Sequence, residues 1–183
     1  MGRPNKWLTM ICGILAITLG CGNDTKPSNE KFEKAINTYF ENRNECLFPE
    51  GLKFPYIVNP VDHNEAKKKG LDALTSAGLL RRLDAPMEHA SQYMLAPLGQ
   101  RVAPRFCYGH RVVKSIDSFT TPAKQNGFLE SNVSYHYIMM EVPAWTETKE
   151  MEAAFPTMAK SISGNASDQI TLATAGAGWQ VPQ

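Results

Sequence analysis

The apolar and polar positions follow helical spacing in the first part of the chain and strand spacing later. Phe32, Ala35, Ile36, Tyr39 and Phe40 recur every three or four residues, the stripe of an amphipathic helix. Ser28 or Asn29 is placed to cap that helix, with Glu30 and Glu33 in its first turn. The stripe fades near Asn44 to Cys46. Pro49, Gly51 and Pro55 then predict a loop, with Tyr56-Ile57-Val58 as a brief extended piece. A second helix begins at Asp62 or Asn64, presents Ala66, Leu71, Leu74, Leu79 and Leu80, and stops at Gly78.

Beyond this the period shortens. Residues 105–119 hold Phe106, Tyr108, Val112, Val113, Ile116 and Phe119 and read as extended, and Pro122 and Gly127 mark a turn. Over 128–142, Leu129, Val133, Tyr135, Tyr137 and Met139 alternate with Glu130, Asn132, Ser134 and His136. Period two with one polar face predicts a strand packed on one side. Its length implies a bulged or bent arm of a hairpin with the preceding strand. Residues 147–155 are helical in composition, Pro156 interrupts them, and 158–162 continue as a short helix. Residues 169–174 and 178–181 predict a terminal hairpin.

Residues 71–82, Leu-Asp-Ala-Leu-Thr-Ser-Ala-Gly-Leu-Leu-Arg-Arg, lead to a turn at Ala85-Pro86, and the chain returns as Gln92-Tyr93-Met94-Leu95-Ala96-Pro97-Leu98-Gly99-Gln100-Arg101. This stretch, 65–101, resembles the helix-then-wing part of a winged-helix domain. Ala96 stands where that family often has a capping Thr or Ser. The resulting expectation is an α+β fold in one compact domain over 31–183. Its 31–104 half would be winged-helix-like, and its 105–183 half an antiparallel sheet with a helix.

The N-terminus carries an address. Arg3 and Lys6 precede an apolar run from Trp7 to Leu19, and Gly20-Cys21 follow. The run is about 13 residues long, short of the roughly 20 that a membrane-spanning helix needs. Basic head, apolar middle and small residue at the cut make the layout of a secretory signal over 1–20. Leu15-Ala16-Ile17-Thr18-Leu19-Gly20-Cys21 resembles a bacterial lipoprotein signal, with Thr18 where the pattern usually has Leu. The resemblance implies that Cys21 is acylated and becomes the new N-terminus. Several acyl chains on one residue anchor stably. Gly22, not being acidic, leans toward the outer membrane facing the periplasm in a Gram-negative source. The other readings of the segment are an ordinary cleaved signal and an uncleaved anchor. The polar stretch 21–30 would be lipidated cysteine and tether.

Charge and cysteine content narrow the remainder. The full chain has a formal charge of +1. Without Arg3 and Lys6, 17 basic residues face 18 acidic ones, which leaves no electrostatic footprint for nucleic acid. The densest basic run, Lys67-Lys68-Lys69, reads as a solvated helix face. With Cys12 in the signal and Cys21 acylated, Cys46 and Cys107 remain. An even pair in an exported protein is a candidate disulfide, the alternative being two independent buried thiols.

Candidate chemistry is sparse. Asp62-His63-Asn64-Glu65 gathers ligand atoms at a helix start, but HxH, HxxxH and CxxC spacings are absent and capping explains Asp62. Cys107-Tyr108-Gly109-His110 invites a nucleophile-and-base reading that competes with the disulfide for Cys107. His136 lies on the polar face of its strand. The chain has neither a G-x-S-x-G turn nor a phosphate-binding loop with lysine. Trp145 and Trp179 are large anchors for the core or for a partner. The sequence therefore predicts catalytic residues none, metal none and cofactor none. Its contacts would be membrane lipid through acylated Cys21 and an unknown protein partner in the envelope, and not nucleic acid. An immunity or exclusion factor is one version of such a noncatalytic lipoprotein. A periplasmic small-ligand carrier or an enzyme without a recognisable motif is the alternative, and a deep cavity lined by Tyr135, Tyr137 and Met139 would favour the carrier.

Overall fold

A computed structural model describes residues 25–59, 64–85, 90–125, 127–175 and 178–182. Residues 1–20, read above as a signal, and Cys21, Asp62, His63 and His89 lie outside these residues. The first helix, α1 (Asn29–Phe40), starts where Ser28 accepts a hydrogen bond from the Lys31 N–H. Its first residues thus already use the end of the polar stretch assigned to the tether. Phe32, Ala35, Ile36 and Phe40 are buried, which is the stripe read from their spacing. They pack α1 onto a curled half-barrel of antiparallel strands.

That half-barrel runs β1 (Asn44–Cys46), β5 (Cys107–Phe119), β7 (Phe128–Met140), β8 (Ala166–Ala175), β9 (Gly178–Gln180), with β6 (Ala123–Gln125) also paired to β7. β5 and β7 form a long hairpin whose register shifts between Val113 and Ser115 and again between Ile116 and Ser118. Such bulges bend and twist a strand, and here they accompany the sheet's curl. Val133, Tyr135, Tyr137 and Met139 face the core, while Asn132, Ser134 and His136 face outward. Phe32 meets Phe119 and Trp179 edge-on, at 4.9 and 5.0 Å between ring centres. Asn37 Oδ1 accepts the Val113 N–H at 2.8 Å, so α1 satisfies a donor on a stretch of β5 that β1 does not reach.

A second, three-stranded antiparallel sheet runs β2 (Tyr56–Val58), β4 (Ala90–Leu95), β3 (Leu80–Ala85). It is reached through α2 (Glu65–Ser76), capped by Asn64, whose Oδ1 accepts the Lys67 N–H. Gly78 ends α2 at φ +74°. The Leu79 N–H donates to Leu74 and the Gly78 N–H to Thr75, a Schellman closure that satisfies two terminal carbonyls.

The winged-helix expectation for 31–104 fails. Among the described residues strand outweighs helix, about 40% against 30%. A winged helix would pack its helices on one another. Here α1 lies on β5 and β9, and α2 packs on α3 (Lys149–Ala154) and β3. After the hairpin, where the winged-helix pattern begins its next helix, the chain makes only a 3-10 turn at Gly99–Arg101 before Pro104 and β5. A helix followed by a hairpin is local and was legible, but the helix bundle that defines the winged fold did not form because α1's apolar stripe is matched to a sheet. Pro156 does not merely interrupt a helix. It occupies the first turn of α4 (Pro156–Ile162), where its missing N–H costs nothing.

Candidate functional site

Three polar clusters and one exposed apolar face merit comparison. The first cluster surrounds Arg111 on β5, whose side chain is 17% exposed. Its guanidinium lies 4.6 Å from the centre of the Tyr137 ring and 5.1 Å from that of Phe40. It donates to Asp168 on β8 and, at 3.5 Å, to the Tyr135 hydroxyl. Glu45 Oε1 on β1 is 2.6 Å from Nε but off the N–H direction, so that contact is a charge pair and not a hydrogen bond. Burial disfavours the charged guanidinium, but bonds to Asp168 and Tyr135 and the charge of Glu45 outweigh it and hold the group more firmly protonated than usual. Burial likewise raises the phenols of Tyr135 and Tyr108. The cluster ties α1, β1, β5, β7 and β8 together through ion pairs, ring contacts and the Nη1 hydrogen bonds, while the buried Nε–H is left without a hydrogen-bond acceptor. A shallow surface groove of about 550 Å³ runs beside it, lined by Glu33, Lys34, Asn37, Glu41, His110 and Arg111 among others.

The second cluster sits on the outward face of the half-barrel. His136, on the polar face of its strand as read from the alternation, has Nδ1 2.7 Å from Asp117 Oδ2 and so is paired across strands. A carboxylate only accepts, which places the proton on Nδ1. A nucleophilic triad would need a hydroxyl or thiol at the other ring nitrogen. Ser115 instead donates to Asp117, and Ser134 accepts from Gln169. The third cluster joins the three-stranded sheet to α2: the Tyr93 hydroxyl donates to Asp72 at 2.6 Å, and Lys68 and Arg82 face the same carboxylate at 3.1 and 3.6 Å. Burial alone would raise Asp72, but these partners bring it below its usual value. Burial and Asp72 push the Tyr93 phenol up.

Cys46 and Cys107 form a disulfide. They are opposed in the β1–β5 register, so the bridge joins adjacent strands. This removes the thiol from the Cys107-Tyr108-Gly109-His110 string. His110 is turned toward Glu141 at 3.7 Å, and Gly109 (φ +114°) sits so close to Met140 that a Cβ there would lie 2.1 Å from its carbonyl oxygen. Among the described residues, no three His, Cys, Asp or Glu side chains converge to hold a metal ion. No described helix is long and apolar enough to cross a membrane. Tyr135, Tyr137 and Met139 are packed in the core, not around a cavity. Trp145 and Trp179 are core as well, at 7% and 8% exposure.

The apolar face is on the small sheet. Ile57, Gln92 and Leu83 are in register across β2, β4 and β3. The adjacent row, Tyr56, Tyr93 and Arg82, points toward α2, as its contacts with Lys67 and Asp72 show. By strand alternation the row Ile57–Gln92–Leu83 faces away from α2, and Ile57 and Leu83 are 48% and 50% exposed. Sequence reading did not single out Arg111, Glu45, Asp168 or this row. The only local signal was an arginine inside an apolar strand run, and its partners are remote in sequence. No sequence family, characterised protein or solved structure matches this chain.

Proposed function

We propose that this chain is an exported lipoprotein, freed of residues 1–20 and held at a bacterial membrane by acylated Cys21, whose domain works by binding another protein and not by catalysis. The observation that carries the interaction reading is the outward row of the small sheet, in which Ile57 and Leu83 stay half exposed on either side of Gln92. Apolar side chains exposed together on one sheet face offer a partner area to cover. The Cys46–Cys107 bridge supports export, since such bonds persist in oxidising compartments. The packed core and the ion-paired Arg111 and His136 clusters offer little for substrate chemistry.

The test has two arms. Mass spectrometry of the mature N-terminal peptide is expected to find acylated Cys21, and Cys21→Ala is expected to release the chain from the membrane fraction. A photo-crosslinking residue at Ile57 is expected to capture protein in intact cells, while one at the exposed, distant Lys124 does not. An unmodified N-terminus beginning elsewhere overturns the anchor. Equal capture from the two positions overturns the interaction face.

A further inference from the structure

We infer that a second copy of this chain adds antiparallel along the outer edge of β3. This goes beyond the interaction reading above, because strand addition extends the sheet beside Leu83 and leaves Ile57, on the far strand, uncovered. Among the described residues β3 is an edge strand, with β4 on one side and no strand on the other. The opposite edge, β2, is only three residues long and is preceded by Pro55, which blunts an edge by removing a donor. β3 is six residues long and contains no proline.

A two-fold axis perpendicular to the sheet keeps each face continuous, so residues i and j of the two copies oppose each other when they share a face. Centring that axis on Leu83 opposes Leu83 to its own copy on the face away from α2. On the other face Arg82 meets Asp84 of the second copy, twice by symmetry. Shifting the centre by one residue to Arg82 would oppose Arg82 to itself and set Leu80 against Asp84. Centring on Asp84 would oppose two carboxylates. The charges on β3 therefore select one register and penalise its neighbours, while the Arg82–Asp84 contact within the strand, 3.2 Å and largely exposed, contributes little and shares Arg82 with Asp72. In the selected register the row Ile57–Gln92–Leu83 runs on into Leu83–Gln92–Ile57 of the partner, making one six-stranded sheet. Such an edge contact is small, so the dimer is weak and concentration-dependent.

The full chain in detergent is the material for the test. Leu83→Cys, opposed to its own copy, is expected to cross-link to a covalent dimer under mild oxidant, and Arg81→Cys to remain near background. In sedimentation, Arg82→Asp and Asp84→Arg are each expected to weaken self-association about tenfold or more through two like-charge oppositions, and an equimolar mixture to restore it, because the two variants complement each other. If either charge variant fails to fold, the cysteine pair decides. Equal cross-linking at 83 and 81, or a mixture no tighter than its components, overturns the dimer. Should that happen while Ile57 still captures a protein, the interaction reading stands and only the edge pairing is wrong.

Discussion

Replacing Arg111 should show how much of the fold hangs on one side chain. Arg111→Met keeps most of the stem volume but removes the charge between the Tyr137 and Phe40 rings and leaves Glu45 and Asp168 without their partner. Breaking a fully buried pair on one side costs about 3–5 kcal/mol. Here the two carboxylates are 26% and 48% exposed, so water recovers part of that. The expected loss is about 2 kcal/mol for Met, and about 3–4 kcal/mol for Ala, which also loses the stem packing and the cation–ring contacts. Arg111→Lys keeps the charge but not the planar fork and should fall near 1–2 kcal/mol. Urea denaturation at neutral pH, followed by far-ultraviolet circular dichroism, measures all three. Adding Glu45→Gln and Asp168→Asn to Arg111→Met removes the stranded charges and should recover roughly half the loss. A Met variant within about 0.5 kcal/mol of the parent would refute the reasoning, since that is the range of surface substitutions.

Three further outcomes follow from other sites. Replacing Cys46 and Cys107 together by Ser opens a loop of sequence separation 61 and should cost about 4 kcal/mol in the chain-entropy treatment; alkylation of both native thiols without reductant would refute the bridge. Tyr93→Phe removes the 2.6 Å bond to Asp72 and should cost about 1–2 kcal/mol by denaturant titration. Because Asp72 is lowered in the folded chain, its stabilising contribution is complete above about pH 4 and is lost as the pH falls through the folded value. Because Tyr93 is raised, its contribution is complete below about pH 10 and is lost above it, so Tyr93→Phe should flatten both limbs of the stability profile. Gly109→Ala forces a Cβ to 2.1 Å from the Met140 carbonyl oxygen at a positive φ, and should lose at least about 2 kcal/mol by thermal or urea unfolding; a neutral substitution would show that β5 shifts freely there.

Local patterns read correctly where the cause is itself local. The stripe Phe32–Ala35–Ile36–Phe40 defined the buried face of α1, and Gly78 ended α2 because the φ required there favours a residue without a Cβ. Alternation over 128–142 named the buried face of β7, since side chains in a strand alternate whatever the strand pairs with. The cysteine pair was legible from its even number. The winged-helix reading failed because an apolar stripe says that a face is buried, not against what, and α1 buries its stripe on strands that follow it by some seventy residues or more.

By itself, then, the sequence determined which residues turn inward along α1 and β7, that a helix starts at Ser28 and that another stops at Gly78. Only the tertiary structure decided that the sheet curls under α1, and that Arg111 meets Glu45, Asp168, Tyr135 and Tyr137. It also decided that His136 is held by Asp117 and that Ile57 and Leu83 share an exposed row. The division has one physical reason. Capping, alternation and turn geometry act between near neighbours in the chain, whereas ion pairs, ring contacts and strand register depend on which distant segments meet.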